Sequence, residues 1–175
     1  MLIAMAGLPG TGKSTLAKSI AARLHALVYD KDEIRAALFP ISEIEYSSRQ
    51  NDFCVDLIYQ VFHFLVERNP ERHLILDGST FSRAGQIDRF YEAANRMKQP
   101  WRVLECIADE SAVRQRMAAA GTGHRAANRS FELYREIKDA AVVVPPPKVV
   151  IDTGRHSINN CTDIAVSYVT TGEAG

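Results

Sequence analysis

The chain has 175 residues, 46% of them hydrophobic and 24% charged, which is typical of a globular domain with a full core. Basic and acidic residues both number 21, so no net charge would gather polyanions, which argues against sequence-independent nucleic-acid binding. Cys54, Cys106 and Cys161 are widely spaced, which argues against a disulfide framework or zinc site and favours small core residues in a reducing compartment. Without a targeting signal or an apolar stretch of membrane-spanning length, we expect one cytoplasmic domain over residues 1–175 that has no membrane partner.

The strongest motif lies at the N-terminus. The apolar run Leu2 to Met5 predicts a buried strand, and apolar residues at helical spacing from Leu16 to Leu24 predict a helix. The pattern G-x-x-x-x-G-K-[ST] stands between them, and in this context it indicates a phosphate-binding loop. The predicted nucleotide contacts are Gly7, Leu8, Pro9, Gly10, Thr11, Gly12, Lys13, Ser14 and Thr15.

Each group in this loop has a predicted role. Glycines let main-chain N–H groups approach a phosphate closely, and the start of the helix adds its positive dipole end. Lys13 would reach the β- and γ-phosphates, the Ser14 hydroxyl would bind Mg²⁺, and Thr15 would donate to the α-phosphate. The sequence thus predicts ATP and Mg²⁺ as cofactors. The alternative is a turn that only joins a strand to a helix.

A second polar group follows the next strand, which we predict at Ala26–Tyr29. The segment D-K-D-E-I-R begins at Asp30, and the carboxyl ends of parallel strands share one rim with the phosphate loop. Asp32 is therefore a candidate base for an attacking hydroxyl, and Arg35 a candidate clamp for an anionic group on the substrate. The alternative is that Asp30 or Asp32 only caps the following helix.

Together, the G-x-P-G-[ST]-G-K-S-T loop and the D-x-D-x-[IVY]-R segment about fifteen residues later resemble those of small P-loop kinases. These include the 5′-kinase domain of polynucleotide kinases, adenylylsulfate kinase, gluconate kinase, chloramphenicol phosphotransferase and zeta-type toxins, which are AAA-domain-like ATP-binding proteins. Alternating strands and helices predict an α/β/α fold with about five parallel strands. The resemblance implies the strand order 2-3-1-4-5, Asp32 as the base, and Arg35 as a contact to the acceptor or its phosphate.

A long amphipathic helix is predicted from Ser47 to Arg68. Ser47 and Gln50 form a possible capping box, and we read His63 as a packed or partly exposed side chain rather than a ligand. The resemblance implies that this region walls the acceptor pocket, where the polar segment 46–52 could touch substrate. The predicted core positions are Phe53, Leu57, Ile58, Val61, Phe62, Leu65 and Val66.

The strand predicted at His73–Leu76 ends at Asp77. An acidic residue at this point fits a Walker B strand, so Asp77 is a second candidate for holding Mg²⁺. The segment that follows resembles the D-[AG]-[TS]-x-x-x-R segment of polynucleotide-kinase-like proteins. That resemblance makes Arg83 a candidate for binding an acceptor phosphate or positioning Asp32, and a solvated arginine is the alternative.

The remaining predicted elements are helices at Gln86–Arg96, Glu110–Ala120 and Asn159–Val169 and strands at Arg102–Ile107 and Lys148–Thr153. By resemblance, residues 118–130 form a lid whose arginines stabilise the transferring phosphoryl group. The lid candidates are Arg116, Arg125 and Arg129, of which we take Arg116 and Arg125 as catalytic. The resemblance also brings residues 153–155 beside the adenine, although they could form only a turn.

These features together predict an ATP-dependent phosphotransferase. In this reading, the γ-phosphate of ATP moves to a hydroxyl of a small molecule, and Asp32 orients and deprotonates that hydroxyl. A polynucleotide 5′-end is possible as acceptor but is not favoured, because the chain has no excess of positive charge. The alternative is a nucleotide-dependent regulatory ATPase or switch that binds a protein partner. A switch needs no base and anion clamp for a second substrate, so the segment from Asp30 to Arg35 favours the kinase.

Overall fold

The computed structural model describes residues 1–120 and 130–173. Within this part of the chain, the strands are Leu2–Ala6 (β1), Leu27–Asp30 (β2), Leu74–Asp77 (β3), Trp101–Ile107 (β4) and Val149–Asp152 (β5). They form one parallel sheet in the order β2-β3-β1-β4-β5. The predicted α/β architecture and strand order are therefore confirmed.

Helices connect these strands. In the described residues they are Lys13–Leu24 (α1), Lys31–Leu38 (α2), Ser48–Arg68 (α3), Gln86–Arg96 (α4), Glu110–Ala120 (α5), Phe131–Asp139 (α6) and Ile158–Thr171 (α7). Only α6 among these helices has no counterpart in the sequence-based prediction. It directly follows residues 118–130, which were predicted to form a lid. None of these helices is long and apolar enough to cross a membrane.

The central strand β1 shows why helices pack on both faces of the sheet. All five of its residues are buried, and successive side chains point to opposite faces of the sheet. Leu2 packs in the cluster that contains Phe62 of α3 and Phe90 of α4. Ile3 packs in the opposite cluster with Leu16 of α1, and residues of α7 complete that layer. Helices thus cover both faces of the sheet.

The strand ends place acidic groups at one edge of the sheet. Asp30 belongs to β2 itself, one residue beyond the predicted end of that strand, and it lies in register with Asp77 of β3. On the other side of β1, Asp152 of β5 lies in register with Ile107 of β4. The carboxyl ends of the strands therefore meet the phosphate loop at one rim, as expected for a parallel α/β sheet.

Two details of α3 correct the sequence-based prediction. Phe53 is 50% exposed rather than part of the core, and Val61 is also exposed, because the buried stripe of α3 runs through every fourth residue from Cys54. Ser47 caps the helix by accepting the N–H of Gln50 at 3.1 Å. Gln50 bonds the main chain of residues 43 and 45 instead of Ser47, so only half of the capping box forms. The three cysteines are buried and free, as predicted.

Candidate active site

The phosphate loop has a backbone that only glycine can follow at its first position. Gly7 has φ of 125°, and a Cβ atom there would lie 2.2 Å from the carbonyl oxygen of Cys106. Gly12 is the N-cap of α1 with φ of 83°, so no side chain covers the first N–H groups of the helix. These groups and the positive end of the helix dipole can therefore face an anion.

Lys13 is held inside the loop. Its Nζ donates to the carbonyl oxygen of Leu8 at 2.9 Å, and the Thr11 hydroxyl donates to the same oxygen at 2.8 Å. These bonds hold the Lys13 ammonium beside the loop, and its contact with phosphate stays a prediction.

A cavity of about 900 Å³ opens over the loop. Its walls include Lys13 and Ser14 on the nucleotide side and Asp32, Arg35 and Arg83 beyond them. The structure thus brings the predicted base and both predicted acceptor contacts into the same cavity as the phosphate loop. This volume lies within the range of small-molecule sites.

The two aspartates after β2 have different roles. Asp30 is the N-cap of α2, and its Oδ1 accepts the main-chain N–H of Asp32 at 2.7 Å. Burial raises the pKa of the Asp30 carboxyl, and the neighbouring charge of Asp77 raises it further. The capping alternative therefore holds for Asp30, and both Asp30 and Asp32 line the cavity.

Two cations surround the Asp32 carboxylate. Arg35 donates to its Oδ1 at 2.6 Å, and Lys31 Nζ lies 3.2 Å from the same oxygen. Burial by itself would raise the pKa of Asp32, but the charges of Lys31 and Arg35 outweigh burial and hold this pKa below its usual range. Asp32 is therefore ionised at neutral pH and able to accept a hydrogen bond from a hydroxyl.

Arg35 is anchored in the cavity wall. Its side chain is only 2% exposed, and it donates to Asn51 of α3 as well as to Asp32. The guanidinium carbon lies 5.1 Å from the centre of the Tyr46 ring, a cation–π contact. Tyr46 has a left-handed φ of 53°, an uncommon backbone conformation for an aromatic residue that often occurs at functional sites.

Arg83 also has a carboxylate partner. Its Nη2 lies 2.5 Å from Asp52 Oδ1 of α3, and Arg89 of α4 approaches the other oxygen of Asp52 at 3.3 Å. The Arg83 side chain is 40% exposed, so the solvated-arginine alternative and an acceptor contact both stay open. Arg83 is held against the acceptor wall that the first turn of α3 provides.

Comparison with known protein families agrees with this fold. The AAA domain family model matches residues 2–141. The chain belongs to this family. No curated protein matches the sequence.

The fold of this AAA domain protein also occurs in solved structures of low sequence identity. A gluconokinase from Sinorhizobium meliloti 1021 shares 15% identity with a TM-score of 0.71, covering 96% of this chain and 90% of that one. The Mycobacterium tuberculosis APS kinase, in complex with AMPPNP and APS, shares 16% identity with a TM-score of 0.72 and 97% coverage of both chains. Chaetomium thermophilum Kti12, in complex with ADP-AlF3, shares 18% identity with a TM-score of 0.69 and covers both chains completely. The fold is therefore the one predicted from the resemblance to P-loop kinases.

Arg116 joins the loop after β5 to the phosphate loop of the AAA domain protein. Its Nη1 donates to Thr153 Oγ1 at 3.0 Å and to the Gly10 carbonyl at 3.3 Å, and its Nη2 donates to the Thr153 carbonyl at 2.6 Å. The Thr153 hydroxyl in turn donates to the Thr11 carbonyl at 2.7 Å. Arg116 thus lies beside the loop glycines, and its catalytic role stays a prediction.

Most of the predicted lid lies outside the described residues. Arg125 and Arg129, with residues 121–129 as a whole, lie outside the described residues. The loop from residue 153 forms a turn in which Asp152 accepts the N–H groups of Gly154 and Arg155. Thr153 also lines the cavity, so the turn and the predicted position beside the adenine are compatible.

The predicted Mg²⁺ ligands fit a hard cation. Ser14 lines the cavity, and Asp77 is 1% exposed with an Oδ1 that has no hydrogen-bond partner in the described part of the chain. Residues 1–120 and 130–173 hold no group of three or more His, Cys, Asp or Glu side chains that could bind a metal by themselves. Mg²⁺ is commonly held by few protein ligands together with substrate phosphates and water, and hydroxyl and carboxylate oxygens are donors of the right kind. Ser14 lines the cavity and Asp77 does not, so the role of Asp77 stays a prediction.

The sequence patterns did not indicate two parts of the wall. Lys31 contacts both Asp32 and Asn51, although its position between two aspartates was a usable signal. Leu133 and Ile137 of α6 also line the cavity. Their spacing of four residues is helical, but only the fold shows that this face of α6 turns toward the site.

Proposed function

We propose that the protein is an ATP-dependent phosphotransferase that moves the γ-phosphoryl group of ATP to a hydroxyl of a small molecule. One observation carries this proposal: an ionised, cation-held carboxylate, Asp32, shares a cavity with the phosphate loop. A phosphate site alone fits any nucleotide-binding protein. A positioned carboxylate in the same cavity adds what a hydroxyl acceptor requires.

The nucleotide side of the cavity would bind and orient ATP. Main-chain N–H groups of residues 10–13 and the Lys13 ammonium would bind the β- and γ-phosphates. Ser14 and Asp77 would hold Mg²⁺, which when bound neutralises charge on the phosphates. Because the transition state for phosphoryl transfer is loose, most of the catalysis comes from this positioning and charge stabilisation.

The acceptor side of the cavity would bind the small molecule that carries the hydroxyl. Asp32 would accept the hydrogen bond of that hydroxyl and take its proton as the new bond to phosphorus forms. Lys31 and Arg35 keep this carboxylate ionised and fix its position. The names of the gluconokinase and the APS kinase indicate that proteins of this fold act on different acceptors. The fold by itself therefore does not determine the acceptor.

An acceptor screen tests the proposal. Purified protein with Mg²⁺ and ATP is incubated with single hydroxyl compounds, and ADP release is measured against the rate without acceptor. We expect at least one compound to raise ADP release, with phosphate transferred to it, and Lys13→Ala to abolish this rise. A rate that stays at the acceptor-free level for every compound would argue against a phosphotransferase.

A regulatory ATPase is the second candidate. Leu38, Ile41 and Phe53 are exposed near the junction of α2 and α3, and Ile41 is 92% exposed. A protein partner could cover this apolar surface. In that case ATP hydrolysis would respond to the partner and not to a hydroxyl compound, so the same screen separates the two functions.

A further inference from the structure

We propose that the phosphoryl acceptor is an uncharged polyhydroxyl compound and that the acceptor half of the cavity disfavours a phosphate or carboxylate group. We define the acceptor half as the part of the cavity wall from Asp30 to Arg35, from residue 46 to residue 55, and from Gly78 to Gln86. This inference rests on the proposed function and names the substrate class of that same site. It differs from the sequence-based prediction, in which Arg35 and Arg83 bind an anionic group.

The cations of the acceptor half are already compensated. The lining residues there include three cations and three carboxylates. Lys31 and Arg35 both pair with Asp32, at 3.2 and 2.6 Å. Arg83 pairs with Asp52 at 2.5 Å. An anion that took the place of Asp32 or Asp52 would have to displace a carboxylate that is fixed in the wall, although the buried Nε of Arg35 has no hydrogen-bond partner in the described residues.

The carboxylate that holds Arg83 is itself supported. Asp52 lies on the first turns of α3, and Arg89 of α4 bonds both Asp52 and Asp56. Arg83 thus ends a chain of alternating charges that joins α3 to α4. Breaking the contact between Arg83 and Asp52 would disturb the neighbouring ion pairs. These neighbouring pairs therefore stabilise the ion pair of Arg83 and Asp52.

Further negative charge surrounds the same space. Asp30 completes the three carboxylates of the acceptor half, and Glu136 of α6 lines the cavity. Burying an anion is unfavourable unless cations compensate it, and like charges nearby increase that cost. A neutral acceptor avoids both costs.

Neutral polar groups provide the contacts that a polyhydroxyl compound needs. Hydroxyl and amide groups donate and accept, so they can exchange hydrogen bonds with the hydroxyls of a sugar or polyol. Leu133 and Ile137 of α6, and Ala140 directly after it, add apolar surface to the cavity, which suits the C–H face of such a compound. The polar side chains of this kind in the acceptor half are Ser48, Asn51, Ser79, Thr80, Ser82 and Gln86.

Matched acceptor pairs test the inference. The screen compares glucose with gluconate and with glucose 6-phosphate, and glycerol with glycerate, by kcat/KM. We expect the neutral member of a used pair to be preferred at least about tenfold. Asp52→Asn, which releases Arg83, should narrow this preference, whereas Asp163→Asn, which removes an exposed pair with Arg23 outside the cavity, should not. A preferred anionic member in the wild type would overturn the inference.

A binding measurement keeps the inference separate from the proposed function. Inorganic sulfate is titrated by calorimetry into protein saturated with AMPPNP and Mg²⁺, so that the phosphate loop is filled. We expect no saturable sulfate site at millimolar concentration in the wild type, and a site in Asp52→Asn that a second change, Arg83→Gln, removes. A saturable wild-type site that Arg83→Gln removes would overturn the inference even if some acceptor is phosphorylated.

The two failures can be told apart. If no compound is phosphorylated, the proposed function fails, while the sulfate titration still reports the charge of the acceptor half. If AMPPNP itself does not bind, the nucleotide part of the proposal fails. The sulfate titration is then made on Lys13→Ala protein, in which the phosphate loop has lost its lysine. Loss of a sulfate site on adding Arg83→Gln would again assign that site to Arg83.

Discussion

Asp32→Asn separates a catalytic carboxylate from a structural one. Asparagine keeps the size of the side chain and one oxygen that can accept from Arg35, so the wall of the cavity stays in place. The change removes the negative charge that the acceptor hydroxyl would meet. It also leaves Lys31 and Arg35 without the carboxylate that they share.

The structure sets the size of the expected effect. General-base catalysis contributes about 100- to 10,000-fold to a rate. Because Lys31 and Arg35 hold the pKa of Asp32 below its usual range, the carboxylate is a weak base, and we expect the lower part of that range. A loss of about 100- to 1,000-fold in kcat corresponds to about 3 to 4 kcal/mol. The free energy of unfolding should also fall by about 1 to 3 kcal/mol, because a charged hydrogen-bond pair is lost.

The assay combines three measurements on one preparation. The kcat is measured with an acceptor from the screen, ATP affinity by calorimetry, and the free energy of unfolding by denaturant titration. ATP affinity should stay nearly unchanged, because Asp32 lies on the acceptor side. The matched control is Asp163→Asn, whose exposed pair with Arg23 is 3.0 Å long and contributes less than about 1 kcal/mol to stability.

Two results would refute the reasoning. A kcat within a few-fold of wild type would show that Asp32 is not the base, and Asp30 would be tested next. An equal loss of ATP affinity and kcat would show that the substitution disturbs the nucleotide side instead. The control variant shows whether loss of any Asp–Arg pair has the same consequence.

Three further predictions concern nucleotide binding and stability. Lys13→Ala should abolish phosphoryl transfer and weaken ATP binding without unfolding the protein, and a variant that melts like the wild type yet turns over normally would contradict this. Phe62→Ala should lower the free energy of unfolding by about 3 to 5 kcal/mol, because Phe62 is fully buried. Phe64 is 55% exposed on the same helix, so Phe64→Ala should change the free energy of unfolding by less than about 0.5 kcal/mol. Equal effects of the two variants in denaturant titrations would refute this assignment of the core. Asp30→Asn should raise Tm at neutral pH, because the raised pKa of Asp30 means that its ionisation costs stability above that pKa, and asparagine caps a helix as well as aspartate does. The gain should disappear as the pH falls below the usual pKa of aspartate, about 3.9, and a gain that does not vary with pH would contradict this explanation.

The sequence by itself determined the phosphate loop, because the motif consists of neighbouring residues whose conformation depends on each other. Gly7 and Gly12 have positive φ angles, which glycine adopts because it lacks a Cβ atom. Lys13 reaches a carbonyl only five residues away. The strands and most helices were predictable for the same local reason, since apolar runs and helical spacing reveal buried segments. The order of the strands came from the resemblance to P-loop kinases.

Only the tertiary structure decided which charges meet. Arg83 pairs with Asp52, 31 residues away, and Arg116 bonds Thr153, 37 residues away. Such partners depend on how α3 and the loops after the strands pack at the rim of the sheet, which no local pattern records. The same packing leaves Phe53 half exposed and turns one face of α6 into the cavity. The sequence therefore predicted the phosphate loop, whereas the charge pairs from which we infer the acceptor exist only in the folded chain.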